Sequence, residues 1–465
     1  MHGAGGKLEV AMMAWPLAIG LLSFTLMGVT DTILMGQVGT EAQAGVGLGA
    51  TMIFFSVAFF RGLTSGAQSL IAAADGAGQR TRILQAAGSG LIIGLLSGLA
   101  AMILTMGLTI WIMPLLSESV AVIDSASGYM WIRAWVLPIS LLSFALMSIL
   151  QGLGDTKIRM WASICGNAVN IILDFIFIFG WGCIPAMGAE GAALATVAGS
   201  ATMCIFYAWR FFVVVGRARR PSIEVLRSSI AIGLPAGAQA GLGALAFATM
   251  TAVLARVGPA HLAASQIALN IISISFLPGY GLGEAAGVLA GRYLGAGKPR
   301  TAGRAIASAR EIALYIMGLC GCLFLFAGAP IVSLFTHDAD VEKIAQTCLL
   351  CAAIFQVLDA VVLVNLCSLR SLGDTRFTFA ATSFAAWVIM LPLTYFLALS
   401  WGLGAVGAWF AMIIEFATLA VLTTRRVSGV RKGTIGRVDL LLGSPAGHGF
   451  EQSPTTALRP TNRSA

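Results

Sequence analysis

Along the chain the apolar residues neither alternate nor recur at amphipathic spacing; they run together for twenty or more positions and stop at short polar interruptions. About 20 consecutive, predominantly apolar residues suffice to cross a bilayer core as a helix. Such runs fall near 11–36, 46–74, 86–111, 127–150, 158–180, 189–212, 229–255, 263–291, 305–328, 344–369, 377–400 and 403–424. The pattern predicts an all-α membrane protein of about twelve transmembrane helices, because backbone in lipid must satisfy its own hydrogen bonds.

Composition agrees. Charged residues make up 10% of the chain, against about 25% in soluble domains, so a large soluble catalytic or nucleic-acid-binding domain is excluded. The net charge of +8 raises the question of an acidic partner, and its distribution answers it. With the N-terminus in the cytoplasm, about 23 of the 28 Lys and Arg fall in cytoplasmic segments or at the cytoplasmic ends of runs, Arg159, Arg210 and Arg370 among them, only Arg256 and Lys343 outside, and Arg61, Arg133 and Arg310 well inside spans. This is positive-inside asymmetry. It predicts a multi-pass inner-membrane protein with both termini cytoplasmic, the bilayer as its partner and no nucleic acid. The first run, from about Val10, is too long for the core of a cleavable signal peptide. Residues 426–465, rich in Gly, Ser, Pro, Thr and Arg, read as a disordered cytoplasmic tail.

The chain repeats itself. Pro16 recurs as Pro235, Gly76-Ala77-Gly78 as Gly295-Ala296-Gly297, and Leu153-Gly154-Asp155-Thr156 as Leu372-Gly373-Asp374-Thr375, always 219 positions apart. The offset becomes 216 for Gly188-Ala189-Glu190-Gly191-Ala192 and Gly404-Ala405-Val406-Gly407-Ala408. Each repeat holds six spans, an even number, so both enter from the same side and are related by a pseudo-two-fold axis along the membrane normal. The predicted organisation is an N-terminal six-helix lobe at 1–212, a cytoplasmic linker at 213–228 and a C-terminal six-helix lobe at 229–425. Two such lobes around a cleft suit alternating access. In the repeated Gly-Asp-Thr turns, glycine is expected as a helix C-cap and aspartate as an N-cap.

A charge at mid-bilayer costs about 2.5–3.5 kcal/mol on insertion scales, so each acid inside a span needs a reason. Asp31 on span 1 and Asp174 on span 5 are expected at a similar depth in the outer half of the first lobe. On span 5, Ser163, Asn167, Asn170 and Asp174 share one helical stripe, and Thr196 on span 6 reaches the same depth. Two carboxylates, an amide and a hydroxyl suit a proton or a hard monovalent cation; the competing reading is an interhelical hydrogen-bond network. Asp359 on span 10, with Gln356 and Asn365 nearby, is a candidate to face the cleft and attract a cationic substrate. Glu284 and Arg61, on matching spans 8 and 2, are candidates to line its cytoplasmic half, and Asn167 joins them. Glu415 is a weaker candidate. All eight cysteines lie in or beside apolar runs and read as buried hydrophobes; Cys348-x-x-Cys351 has no second pair to make a metal site. No nucleophile–base arrangement emerges, so no enzyme is expected.

Together, Trp15-Pro16, Asp31-Thr32, Gly36 and Gly39, the Leu150-Gln151-Gly152-Leu153-Gly154-Asp155-Thr156 element and Asn170-x-x-x-Asp174 resemble the multidrug and toxic compound extrusion (MATE) transporters over about 10–425. The resemblance implies a secondary active antiporter that exports organic, cationic or amphipathic compounds in exchange for H⁺ or Na⁺, with no cofactor. It sits closest to the DinF-like branch, whose proton or sodium site would map onto Asp31, Asn170, Asp174 and Thr196, with Pro16 as a hinge. The norfloxacin-exporter branch adds a second-lobe acid, which Asp359 resembles, and a span 7 glutamate, where this chain carries Gly243. No metal is implied beyond possible Na⁺ at the coupling site, and a monomer suffices. A flippase of a lipid-linked or polar metabolite on the same scaffold is the rival; it predicts a cleft lined with basic residues.

The expected topology has a direct test in intact cells. In an otherwise cysteine-free chain, Cys183 in an outer loop should react with a membrane-impermeant maleimide and Lys298→Cys should not. Labelling of Lys298→Cys alone would invert the topology.

Overall fold

The computed structural model describes residues 3–116 and 119–432. Among the described residues twelve helices are long and apolar enough to cross a membrane: α1 Lys7–Val38, α2 Thr40–Gly76, α3 Arg80–Leu115, α4 Val120–Gly152, α5 Lys157–Phe179, α6 Gly188–Val214, α7 Ile223–Val257, α8 Pro259–Gly295, α9 Pro299–Val332, α10 Ala339–Ser371, α11 Thr375–Ser400 and α12 Gly404–Arg431. Large apolar side chains turn outward along them, Phe326 at 84% exposure for instance, which only lipid makes favourable. α11 passes through two π-helical turns on either side of Leu391–Thr394; Pro392 there lacks the N–H that a regular ladder needs.

Two expected boundaries move. α6 ends at Val214 and α7 begins at Ile223, so the connection placed at 213–228 is non-helical only over 215–222. α12 continues to Arg431, because its apolar face still packs through Val427 and Val430. Residues 426–431, expected as the start of the tail, are therefore helical; 433–465 lie outside the described residues.

The repeat is visible in the backbone. Gly78 and Gly297 close the second helix of each half at φ 68° and 69°, and Gly154 and Gly373 the fourth at φ 77° in both. These left-handed turns exclude a Cβ without strain. The aspartates that follow do not cap helices through their side chains, as the sequence suggested. Asp155 instead accepts from Arg210 Nε at 2.5 Å, and Asp374 from Arg426 Nε at 2.6 Å. The same ion pair, fourth turn to sixth helix, occurs once in each half.

Helices α1–α6 pack among themselves, as do α7–α12, and the halves meet mainly through α2 with α7 and α8 and through α1 with α8. Small residues make that approach possible. A Cβ at Gly76 would fall on the Arg292 carbonyl, and one at Gly295 on the Ala73 carbonyl, the same contact reached by exchanging the halves. Higher up, Gly62 and Gly66 of α2 meet Gly237 and Ser229 of α7 backbone to backbone. Beyond this level the halves part: a Cβ at Gly47 or Gly243 would meet nothing within 4 Å. The lobes are thus joined on the side that carries both described ends of the chain. There, Asp75 pairs with Arg292 at 2.7 Å, Tyr293 donates to Glu9 at 2.7 Å, and Ser308 donates to the Gly5 carbonyl at 2.9 Å.

A bulky side chain at the crossing would hold the lobes apart. Gly66→Leu should reach the membrane in normal amount yet lose efflux several-fold in a dye-extrusion assay, whereas Gly47→Leu should keep it. Equal activity of the two would mean that the close approach is dispensable.

Candidate functional site

The polar stripe of α5 divides into two parts. Its lower half turns to α1: Ser23 donates to the Ser163 carbonyl at 3.2 Å, and Asn167 Nδ2 donates to Ser23 Oγ at 3.4 Å. Asn167 is therefore committed inside the first lobe and does not line the cleft, contrary to the expectation from sequence. The upper half, Asn170 and Asp174, is fully buried and faces Asp31 of α1 and Thr196 of α6. Asp31 and Asp174 stand close enough for each charge to act on the other. Thr196 Oγ1 lies 3.4 Å from Asp31 Oδ2 and donates to the Ala192 carbonyl at 2.8 Å.

This upper cluster is short of donors. Asp31 Oδ1, both carboxylate oxygens of Asp174 and both amide atoms of Asn170 are buried without a hydrogen-bond partner. Buried polar groups are normally paired, and two unit charges about 4 Å apart repel by about 4 kcal/mol at an effective dielectric of 20. A proton shared between the acids, or a small cation among their oxygens, relieves both problems. Two residues of α4 complete the surroundings. Tyr129 and Arg133, one turn apart, are within electrostatic reach of Asp31, and Nε and Nη1 of Arg133 are buried without partners. Sequence reasoning noted Arg133 in a span but did not connect it with the acids; its spacing of four from Tyr129 was the available signal.

Between the lobes lies a cavity of about 1260 Å³. Its upper walls are aromatic, with Phe54, Phe55, Phe144, Phe247 and Phe276, and its floor is polar, with Arg61, Gln68, Gln151, Arg159, Tyr280, Glu284 and Arg370. Glu284 Oε2 accepts from Gln151 at 2.6 Å and from Gln68 at 3.3 Å, which ties α8 to α2 and α4 across the lobe interface. By sequence Arg159 and Arg370 belong with the basic residues at the cytoplasmic ends of their runs. Each lies just inside a helix end, and the closed floor takes it up. From α1 the cavity wall includes Leu21 but none of Asp31, Asn170, Asp174 or Thr196. Pro16, Leu21 and Asp31 share α1, which runs unbroken through Pro16.

A second cavity, about 310 Å³, lies in the C-terminal lobe and is lined by Asp359 and Glu415 together with Gln239, Thr382 and Ser383. It shares Gln239, Gly243, Phe247 and Phe276 with the wall of the central one. Asp359 thus opens into a side chamber within its own lobe. Gln356 lines neither cavity: it is 1% exposed and donates to Ser275 on α8, a correction to its expected place in the cleft.

The MatE family model matches residues 16–176 and again 235–396, beginning at Pro16 and at its repeat partner Pro235. The chain belongs to the MatE family. It is a multi-pass membrane transporter and not an enzyme. Among its relatives are the multidrug resistance protein NorM of Burkholderia vietnamiensis, 31% identical over 90% of this chain and 93% of that protein, and the multidrug resistance protein MdtK of Edwardsiella ictaluri, 30% identical over 90% and 94%. A crystal structure of MATE in the bent conformation superposes with a TM-score of 0.85 over 93% of this chain and 97% of that one, at 24% identity. The last likeness concerns the fold alone.

The donor-poor cluster makes ion binding separable from architecture. Asp174→Asn should abolish binding of the coupling ion, read as ²²Na⁺ retention or as proton uptake by the purified protein, while Ser163→Ala leaves it intact. Removing the nearby guanidinium in Arg133→Gln should tighten cation binding several-fold. Weaker binding in Arg133→Gln would show that this side chain does not oppose the ion.

Proposed function

We propose that this MatE-family transporter is a secondary active antiporter that exports amphipathic organic compounds, cations among them, in exchange for H⁺ or Na⁺. Asp174 and Asn170, buried without partners, and Asp31, with one oxygen unpartnered and Thr196 at the other, carry this reading, because a purely structural network would have no reason to leave three of four carboxylate oxygens without donors. Relatives named as multidrug resistance proteins support the substrate range. In this reading the protein sits in the inner membrane as a monomer with both termini cytoplasmic, so the closed side faces the cytoplasm and the cleft opens outward. The first-lobe residues support a DinF-like mode of coupling, with the ion site in the N-terminal lobe.

The cycle follows from α1. Ion entry between Asp31, Asp174, Asn170 and Thr196 neutralises the repulsion, lets α1 shift about Pro16, and alters the cleft wall at Leu21. Substrate leaves to the outside, and the loaded protein returns inward. Ion release to the cytoplasm restores the charged pair and the substrate-binding state. Asp359 with Glu415, in the chamber beside the cleft, supplies negative charge for the cationic end of a substrate, and Glu284 with Arg61 lies on the substrate path.

Energetics limits the exchange. Each charge crossing the membrane is worth about 2.3 kcal/mol per 100 mV, so one proton in for one monovalent cation out is electroneutral and leaves the pH gradient alone as its driving force. In inverted vesicles with proton and sodium gradients imposed separately, one gradient should drive dye uptake, and Asp31→Asn should abolish that dependence. Full gradient-driven transport by Asp31→Asn would exclude the first-lobe site.

A further inference from the structure

The floor of the central cavity has the wrong sign for a receptor built only for cations. Its charged lining consists of Arg61, Arg159 and Arg370 against the single carboxylate of Glu284. The acid is already engaged by two amides, Gln151 and Gln68. Among the described residues none of the three arginines lies within ion-pair distance of an acid. Arg61 stacks over Phe144 with its guanidinium carbon 4.8 Å from the ring centre. Arg159 is 6% exposed and reaches only Gln151 Oε1, at 3.1 Å. Arg370 keeps a buried Nε with no partner.

The repeat sharpens the point. At the 219-residue offset Arg61 matches Tyr280, Gln151 matches Arg370 and Arg159 matches Thr378, so each arginine occupies a position that is neutral in the other half. The fold therefore does not require these charges, and three guanidinium groups that share one carboxylate leave an excess of positive charge within the membrane that is costly. Above them stand Phe54, Phe55, Phe247 and Phe276.

We propose that the floor of the central cleft is an anion subsite, in which Arg61, Arg159 and Arg370 hold the carboxylate of an amphipathic organic anion or zwitterion while its apolar body lies against the phenylalanines. Guanidinium groups suit this role because they pair with carboxylates through two parallel hydrogen bonds. The inference deepens the antiporter reading and rests on it only in taking the cleft as the substrate's path.

Equilibrium binding without any ion gradient separates the two. With the full-length protein in phosphatidylcholine nanodiscs, N-dansyl-phenylalanine should bind about tenfold or more tightly than its methyl ester, which has the same body and no charge. Arg61→Gln and Arg370→Gln should each erode that preference by weakening acid binding more than ester binding, and Arg370→Lys should restore part of it. Asp31→Asn, which tests coupling, should leave the preference intact. Equal binding of acid and ester by the wild-type protein, which requires no variant, would overturn the proposal. So would a preference that survives loss of both arginines. If nanodiscs containing phosphatidylglycerol abolish the preference, the arginines serve a lipid phosphate as in a flippase, and the carboxylate assignment fails.

Discussion

Two helices touch backbone to backbone only where at least one of them has no side chain at the crossing, and the rest of this molecule hangs on that condition at the lobe interface. Gly62, Gly66, Gly76, Gly233, Gly237 and Gly295 let α2 lie directly against α7 and α8 on the side of the described chain ends. Such contact gains dispersion over a long seam but needs no interdigitated side chains. It can separate and re-form without unpicking a packed core. Asp75 with Arg292 and Glu9 with Tyr293 are partly exposed there and add little that a rocking motion has to overcome; the bonds from Gln151 and Gln68 to Glu284 are polar contacts that it has to break.

Closing that seam also makes the substrate site. It gathers Arg61 from the middle of α2, Arg159 from the start of α5 and Arg370 from the end of α10 around one floor, with Glu284 held by amides from the opposite lobe. The ion cluster lies elsewhere, inside the first lobe, and shares no lining residue with the cleft. Coupling between them needs a mechanical carrier, and two helices reach both: α1 through Asp31 and Leu21, and α5 through Asp174 and Arg159. An anionic substrate would change the electrical character of the exchange. A proton moving in and a monoanion moving out carry charge in the same sense, so a potential of 100 mV would contribute about 4.6 kcal/mol, twice the value for one charge.

Much of the fold was legible in the chain because lipid imposes a simple grammar: twelve apolar runs, and a duplication whose offset places matching turns at Gly78 and Gly297. The acids of the first lobe were legible for the same reason, since few residues can sit in a span without cause. What escaped was anything set by tertiary closure. Arg159 and Arg370 look like basic loop residues because they lie within two positions of helix ends, and the rule that orients the protein explained them too readily. Asn167 and Gln356 looked like cleft residues because they are polar and near the right depth. Depth along a helix does not fix azimuth, and both amides turn toward neighbouring helices, to Ser23 and Ser275. Asp155 and Asp374 looked like helix caps from local sequence, while their partners, Arg210 and Arg426, stand more than fifty residues away.

The central claim is that the ion bound at Asp31 and Asp174 governs whether the glycine seam is open or shut. Spin labels across the seam on the α2–α3 and α8–α9 turns, and across the far side at Gly47 and Gly243, would measure both ends of the cleft by double electron–electron resonance. Loading the site by acidification or with Na⁺ should lengthen distances across the seam and shorten those on the far side, and Asp31→Asn should remove the response. Distances that ignore the ion in the wild-type protein, or a response that persists in Asp31→Asn, would contradict the account.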